Sequence, residues 1–397
     1  MKINISRFFS DFLGRAILYG SLYLASGSIY LFIEGGARLE NYKSEGDSGL
    51  VNSFFLISIL SFLIYFLCSL VKTRGVFFNS GGKLLIFSLF MIFISGFWAD
   101  NHFVSFGVGA FLISWYLYIS CYIRHVGASR VINQVALFLL LLVCASFIVA
   151  VIFPSYGVAI GGHEGSWQGI FTHKNTLGYI ALMACVLTVI CDWGRFLKAI
   201  SIAICTLVIV KSKSDAALGF LLLIPSLLVI WKLRLGKYHV SSLVAFTCLA
   251  CVLISAMYLW ESVEPSFLNN RGKIWNFVMS KFWESPIIGH GVYQYPKFAE
   301  NSYELIVETI GFFVRGAHNG FIDAIYSLGI LSLIPITAIF YRAFSARLTG
   351  EVGFIYGIFF VYVNIFESNL FSINIFLMVM ILIVSIGDVR ELNNASQ

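Results

Sequence analysis

Charge is what this sequence has least of: of 397 residues only 12% are Asp, Glu, Lys or Arg, while 59% are hydrophobic. Soluble domains carry about twice that charged fraction, so a soluble α/β enzyme is excluded. Cysteine is scarce outside apolar runs. Cys68, Cys121, Cys144, Cys185, Cys191, Cys205, Cys248 and Cys251 all fall within predicted helices. That leaves no disulfide framework for the outer loops, and the CxxC spacing of Cys248 and Cys251 reads as helix packing. Internal repeats and low-complexity tracts are missing, which counts against transporter folds built from repeats. The outer loops hold no paired-carboxylate DxD. The first apolar segment, past Arg15, exceeds a signal-peptide core and has no clear small-residue cleavage site, so it is read as retained.

What is present is a succession of apolar runs. Spanning a hydrocarbon core of about 30 Å takes roughly 20 apolar residues, because the backbone must satisfy its own hydrogen bonds there. About twelve segments approach that length, near 12–33, 50–71, 83–98, 103–123, 131–153, 176–191, 197–211, 215–231, 239–260, 318–340, 352–366 and 371–386. The seventh and eighth are short and separated only by Lys211-Ser212-Lys213-Ser214-Asp215, so they are read as a broken or re-entrant pair. This pattern predicts an all-α, polytopic integral membrane protein, with 1–397 as a single membrane domain.

Lys and Arg set the orientation. With both termini cytoplasmic, sixteen of the 26 Lys and Arg residues, from Lys2 and Arg7 to Arg347 and Arg390, fall on the inner side. The net charge of +6 therefore reflects topology and not nucleic-acid binding. Two outer segments stand out, 154–175 and the long polar loop 261–317.

The first is Gly-rich, with Gly157, Gly161, Gly162, Gly165 and Gly169 suited to unusual dihedrals and close approach to a ligand. Its His173-Lys174-Asn175 is placed at the start of the sixth helix, where free N–H groups and the helix dipole favour an anion; a capped turn with Asn175 as the cap is the plainer alternative. Lys211 and Lys213 emerge on the same side against the charge rule, which suits phosphate or lipid headgroup contact. In the long loop, Asn269-Asn270-Arg271-Gly272 leads into Ile274, Trp275, Phe277, Val278, Phe282 and Trp283, the apolar face of a helix expected to lie in the membrane interface. A turn at Pro286–Gly291 follows, with His290 read as structural, and then a second short helix over 301–313. His318 and Asn319 open the tenth helix. Asp323 lies on the same face as Asn319, a turn inside the boundary, where a charge usually faces a cavity or a partner. Glu367 lies in the last outer turn, on the side of His318.

The order GIFTHKNTLG, NNRGKIW with a downstream ESPIIGHG, AHNGFIDAIYSLG and NIFESNL resembles the bacterial O-antigen ligase and polymerase family, in particular exopolysaccharide repeat-unit polymerases of the Wzy type. The motifs occupy about half the chain. The resemblance implies a GT-C-like membrane glycosyltransferase of about twelve helices, with a large helical loop before the tenth. Its implied donor is an undecaprenyl-pyrophosphate-linked glycan, used at the outer face of the inner membrane. The family's functional basic residue near the HKN-type motif, the arginine of the NNRG-type segment and the histidine of the HN motif match Lys174, Arg271 and His318. One departure is Gln168, in the area where many relatives carry an arginine before the GIF segment.

The residues themselves suit that chemistry. Arg271 and Arg315 offer planar forks for phosphate oxygens, with Lys174 and Lys211 as further donor-binding charges. His318 can take a proton from an acceptor hydroxyl. His173, Asn175, Asn319, Asp323 and Glu367 are assigned to the acceptor or to structural support. Pyrophosphate already leaves well, so no metal or cofactor is demanded; a His163, Glu164 and His318 metal site is the lesser alternative. The implied partners are the lipid-linked glycan, a glycan or lipid A-core acceptor, the bilayer, and a chain-length regulator. Repeat-unit polymerisation is the first reading and ligation of finished glycan to lipid A-core the second. A flippase or transporter is the alternative from another class, resting on Arg15, Asp323 and Gly-interrupted helices.

Overall fold

A computed structural model of the chain describes residues 5–28, 48–72, 80–160, 163–232, 271–311, 313–314, 316–344 and 350–395. The expected ninth helix (239–260), with Cys248 and Cys251, lies outside the described residues, as does Arg315. In chain order the helices are α1 (Ile5–Ala25), α2 (Ser48–Lys72), α3 (Ser80–Ile94), α4 (His102–Val126), α5 (Ala128–Ile152), the single turn α6 (Pro154–Gly157), α7 (Lys174–Ile190), α8 (Arg195–Ser212) and α9 (Asp215–Lys232). After them come α10 (Arg271–Phe282), α11 (Tyr295–Asn301), α12 (Tyr303–Ile310), α13 (Gly320–Leu328), α14 (Leu333–Phe344), α15 (Gly350–Phe366) and α16 (Ile375–Ala395). Among the described residues no strand forms beyond one isolated bridge between Val158 and Trp167.

Four stretches there are long and apolar enough to cross a membrane: Ser53–Leu70, His102–Val126, Ala128–Ile152 and Gly320–Phe344. Shorter apolar helices accompany them, among them Lys174–Ile190, Val352–Phe366 and Ile375–Gly387. This is the architecture of a polytopic membrane protein.

The chain divides into two compact units, one of Met1–Arg74 and Leu117–Leu235, the other of Gly75–Tyr116 and Gly236–Gln397. In the first, α5, α7 and α8 form the packed centre. Tyr118 and Tyr122 stack, Tyr65 meets both edge to face, and the Tyr118 hydroxyl donates to the Gly14 carbonyl of α1 at 2.5 Å. At one end of this bundle Ser129 donates to the Asp192 carboxylate at 2.5 Å. At the other, the Trp167 N–H donates to the Lys211 carbonyl at 2.9 Å. Between α8 and α9 the helix stops at Lys213, whose φ of 52° is left-handed, and restarts at Asp215. The expected break therefore occurs at KSKSD.

In the second unit α14 packs against α3, α15 and α16, and the Trp115 indole N–H donates to the Met378 carbonyl at 3.0 Å. The expected tenth helix (318–340) is not continuous. It breaks at Gly329 (φ 58°) into a 3-10 turn, Gly329–Ser332, before α14 begins. The turn Pro286–Gly291 of the outer loop fills that break. His290 and Gly291 N–H donate to the carbonyls of Tyr326 and Ser327, and Ile330 and Leu331 N–H donate to those of Pro286 and Ile287. Gly329 is required twice over, because its conformation is open almost only to glycine and a Cβ there would strike the Pro286–Ile287 backbone.

The outer loop has a core of its own. Ile274, Trp275, Phe277 and Val278 of α10 are buried with Tyr295, Ala299, Ile306, Ile310, Ile322 and Tyr326. This corrects the interfacial reading of α10: its apolar face is covered by α12 and α13, and Trp283, just past its end, is the large exposed residue. Trp98 and Gln294 tie the loop to the turn between α3 and α4. The Trp98 indole donates to the Ile288 carbonyl at 3.0 Å, and the Gln294 amide spans Asn101 and Ser105.

Candidate active site

In the second unit three distant segments meet. Arg271 is the first residue of α10, His318 immediately precedes the cap of α13, and Glu367 follows the last residue of α15. Arg271 directs one guanidinium nitrogen to the Phe366 carbonyl at 2.6 Å and the other to Glu367 Oε1 at 3.8 Å, with its charge 5.8 Å from the Phe366 ring centroid. Glu367 Oε2 lies 3.4 Å from His318 Nδ1. The carboxylate is thus shared between an arginine and a histidine, two of the residues that the motifs single out. Arg271 and Glu367 are mostly buried, while the His318 side chain is 44% exposed.

Local chemistry holds His318 there. The Asn319 side-chain oxygen accepts from the N–H groups of Phe321 and Ile322, so Asn319 is the N-cap of α13. Next to it the Trp275 indole donates to the Ala317 carbonyl at 2.9 Å. Between these two fixed points His318 takes φ 48°, a left-handed conformation uncommon for a residue with a side chain and concentrated at functional sites. Gly320 brings α13 against the end of α15, since a Cβ there would collide with the Asn364 side chain. Asn364 in turn accepts from the Asn369 N–H, closing the turn that carries Glu367.

Trp275 escaped the sequence reading as a positioning residue. The signal was that a buried indole N–H needs an acceptor. The Asp323 carboxylate acts on Tyr295 in the loop core. Burial first, and that carboxylate second, push the Tyr295 hydroxyl above its ordinary pKa.

The remaining assigned residues lie in the first unit. Lys174 is the first residue of α7 and donates to the Lys213 carbonyl at 3.1 Å, capping the end of α8. Lys213 Nζ reaches the Glu164 carbonyl at 3.2 Å, and Lys211 Nζ stands 5.9 Å from the Trp167 ring centroid. His173, not Asn175, caps α7: its Nδ1 accepts from the Asn175 N–H at 3.2 Å. The His163 and His173 rings meet edge to face at 5.6 Å. The close approaches of Gly157 and Gly169 are made to Ala150 and Ser146 of α5, so these two glycines serve helix packing. Gln168 is buried and its N–H donates to the Gly157 carbonyl.

A polytopic helical membrane protein here gathers an arginine, a carboxylate and a histidine beside the capped start of a helix that opens a candidate span. Residues 198–337 match the family model described as O-antigen ligase, Wzy_C, and this match supports the O-antigen ligase and polymerase family that the motifs resemble. The matched span contains Lys211, Arg271, His318, Asn319 and Asp323, and ends before Glu367. A comparison with curated proteins finds no match to this chain.

Proposed function

We propose that this chain is a metal-independent membrane glycosyltransferase that joins undecaprenyl-pyrophosphate-linked oligosaccharide repeat units into a surface polysaccharide. It works at the periplasmic face of the bacterial inner membrane, as a GT-C-like protein of about twelve spans with both termini cytoplasmic. The observation that carries this reading is the convergence of Arg271 and His318 on Glu367 at the edge of the 320–344 span.

Transfer forms a bond between an acceptor hydroxyl oxygen and the donor anomeric carbon and breaks the bond from that carbon to pyrophosphate, whose oxygen keeps the electron pair. Negative charge grows on the leaving group, where a guanidinium fork is a fixed complement. The acceptor proton goes to His318. Arg315 is assigned to the anionic part of the donor on its charge. The second reading, ligation to lipid A-core, rests on the description of the matched family.

The test is purified protein with lipid-linked repeat units in the presence of a chelator. Polymer formation is expected, and loss of general-base help in His318→Ala is expected to slow it about 10² to 10⁴-fold with donor binding retained. Polymer at the wild-type rate from His318→Ala overturns the assignment. Activity only when lipid A-core is the acceptor selects the ligase.

A further inference from the structure

Glu367 turns one carboxylate oxygen to Arg271 and the other to His318, and this division assigns it a task that neither of those residues can perform alone. An ionised carboxylate only accepts hydrogen bonds, so the nitrogen of His318 that faces it must carry the hydrogen. That nitrogen is Nδ1, 3.4 Å from Oε2. The neutral ring is then the Nδ1–H tautomer, with its lone pair on Nε2.

We infer that Glu367 is the positioning residue of this site, fixing the tautomer and ring plane of His318 so that Nε2 is the base. Through Oε1 it also holds Arg271 in register with the same ring. The inference rests on the transferase reading above and adds how its base is prepared.

Three further observations bear on it. A distance of 3.4 Å is long for a hydrogen bond, but catalytic contacts of unliganded enzymes are commonly loose and tighten with substrate. The Glu367 backbone is itself fixed, its N–H donating to the Val363 carbonyl at 2.9 Å, so the carboxylate is presented from a helix end and not from a wandering loop. The strained φ of 48° at His318 is held by its neighbours, the Trp275 bond to Ala317 and the Asn319 cap, which leaves its ring orientation to the side chain and its partner. When Nε2 takes the acceptor proton the ring becomes a cation, and Glu367 faces it with a full negative charge; the same charge offsets Arg271 until a phosphate competes for that guanidinium.

The experiment combines turnover with a reading that needs no turnover. Full-length Glu367→Gln in detergent or proteoliposomes is expected to lower turnover at saturating donor by about 10- to 100-fold, leaving half-saturation by donor within about threefold. Glu367→Asp is expected to recover part of the loss, and it carries the test should the glutamine variant fail to fold. In a His318→Ala background the Glu367→Gln loss should shrink to under about threefold, because only the part exerted through Arg271 is left. Equal losses in both backgrounds overturn the inference, as does near-wild-type turnover by Glu367→Gln.

Nitrogen NMR of isotope-labelled histidine, with His318 assigned by difference against His318→Ala, should show the hydrogen on Nδ1 in the wild type, and a shift of that signal in Glu367→Gln. The hydrogen on Nε2 in the wild type overturns the inference whatever the reaction is. If the wild type shows the Nδ1–H form but transfers nothing from a pyrophosphate-linked donor, the transferase reading fails while the tautomer assignment stands.

Discussion

Arg271 uses its guanidinium in two directions, toward the Phe366 carbonyl and toward Glu367, and only a planar fork does both from one side chain. Arg271→Lys keeps the charge and loses the fork. A hydrogen bond to a charged group contributes about 1.5 to 3 kcal/mol, so the lysine variant is expected to transfer about 10- to 100-fold more slowly. Arg271→Ala is expected to abolish polymer while the protein still inserts, as checked by membrane fractionation beside a polymer assay. Wild-type polymer from the alanine variant removes Arg271 from the site. The motifs singled out Arg271 and His318, and the last outer turn supplied Glu367; that the three meet is what the fold adds. Trp275 was not singled out, because an indole is as much at home at a lipid interface as in a core, and its acceptor is a backbone carbonyl 42 residues away. The helix-start lysine was placed correctly in sequence, yet its partner, the Lys213 carbonyl, is a main-chain atom that no side-chain pattern announces.

At the scale of elements, hydropathy located helices well and their interruptions poorly. An apolar run reads the same whether its hydrogen bonds close within the helix or are completed by another segment, and α13 to α14 is of the second kind. Four backbone bonds from Pro286–Gly291 replace those lost at Gly329, so non-helical backbone is tolerated inside a span because protein covers it. The turn at Pro286–Gly291 was visible in the sequence; that it completes a break at Gly329 was not. Gly329→Ala should therefore disturb the loop as well as the helix. Its conformation, φ 58° and ψ −148°, costs a residue with a Cβ on the order of 1 to 3 kcal/mol, before the clash with Pro286 and Ile287 is counted. The measurement is thermal unfolding in detergent, where Gly329→Ala is expected to melt several degrees lower, while Gly194→Ala, where an added Cβ meets nothing, changes little. Equal melting of the two variants would show that the clasp contributes nothing.

For the molecule as a whole the remaining question is which face carries the polar segments, and the first unit supplies a ruler. Helix α5, Ala128–Ile152, has 25 residues and so is about 37 Å long, more than the hydrocarbon core of about 30 Å. Arg130 near its start and the 154–173 loop beyond its end therefore lie on opposite sides of a bilayer that it spans. Arg195 shares the Arg130 side, because Ser129 is bonded to Asp192. Lys174 and Lys211 share the loop side, because Trp167 is bonded to Lys211 and Lys174 to Lys213. We propose, from the excess of Lys and Arg, that the Arg130 side faces the cytoplasm. A single cysteine in place of exposed Glu164 should then react with an impermeant thiol reagent in intact spheroplasts, whereas cysteines replacing Arg130 and Arg195 should react only after lysis. The native cysteines must be replaced first. Labelling of Arg195→Cys without lysis reverses the orientation, and with it the periplasmic site.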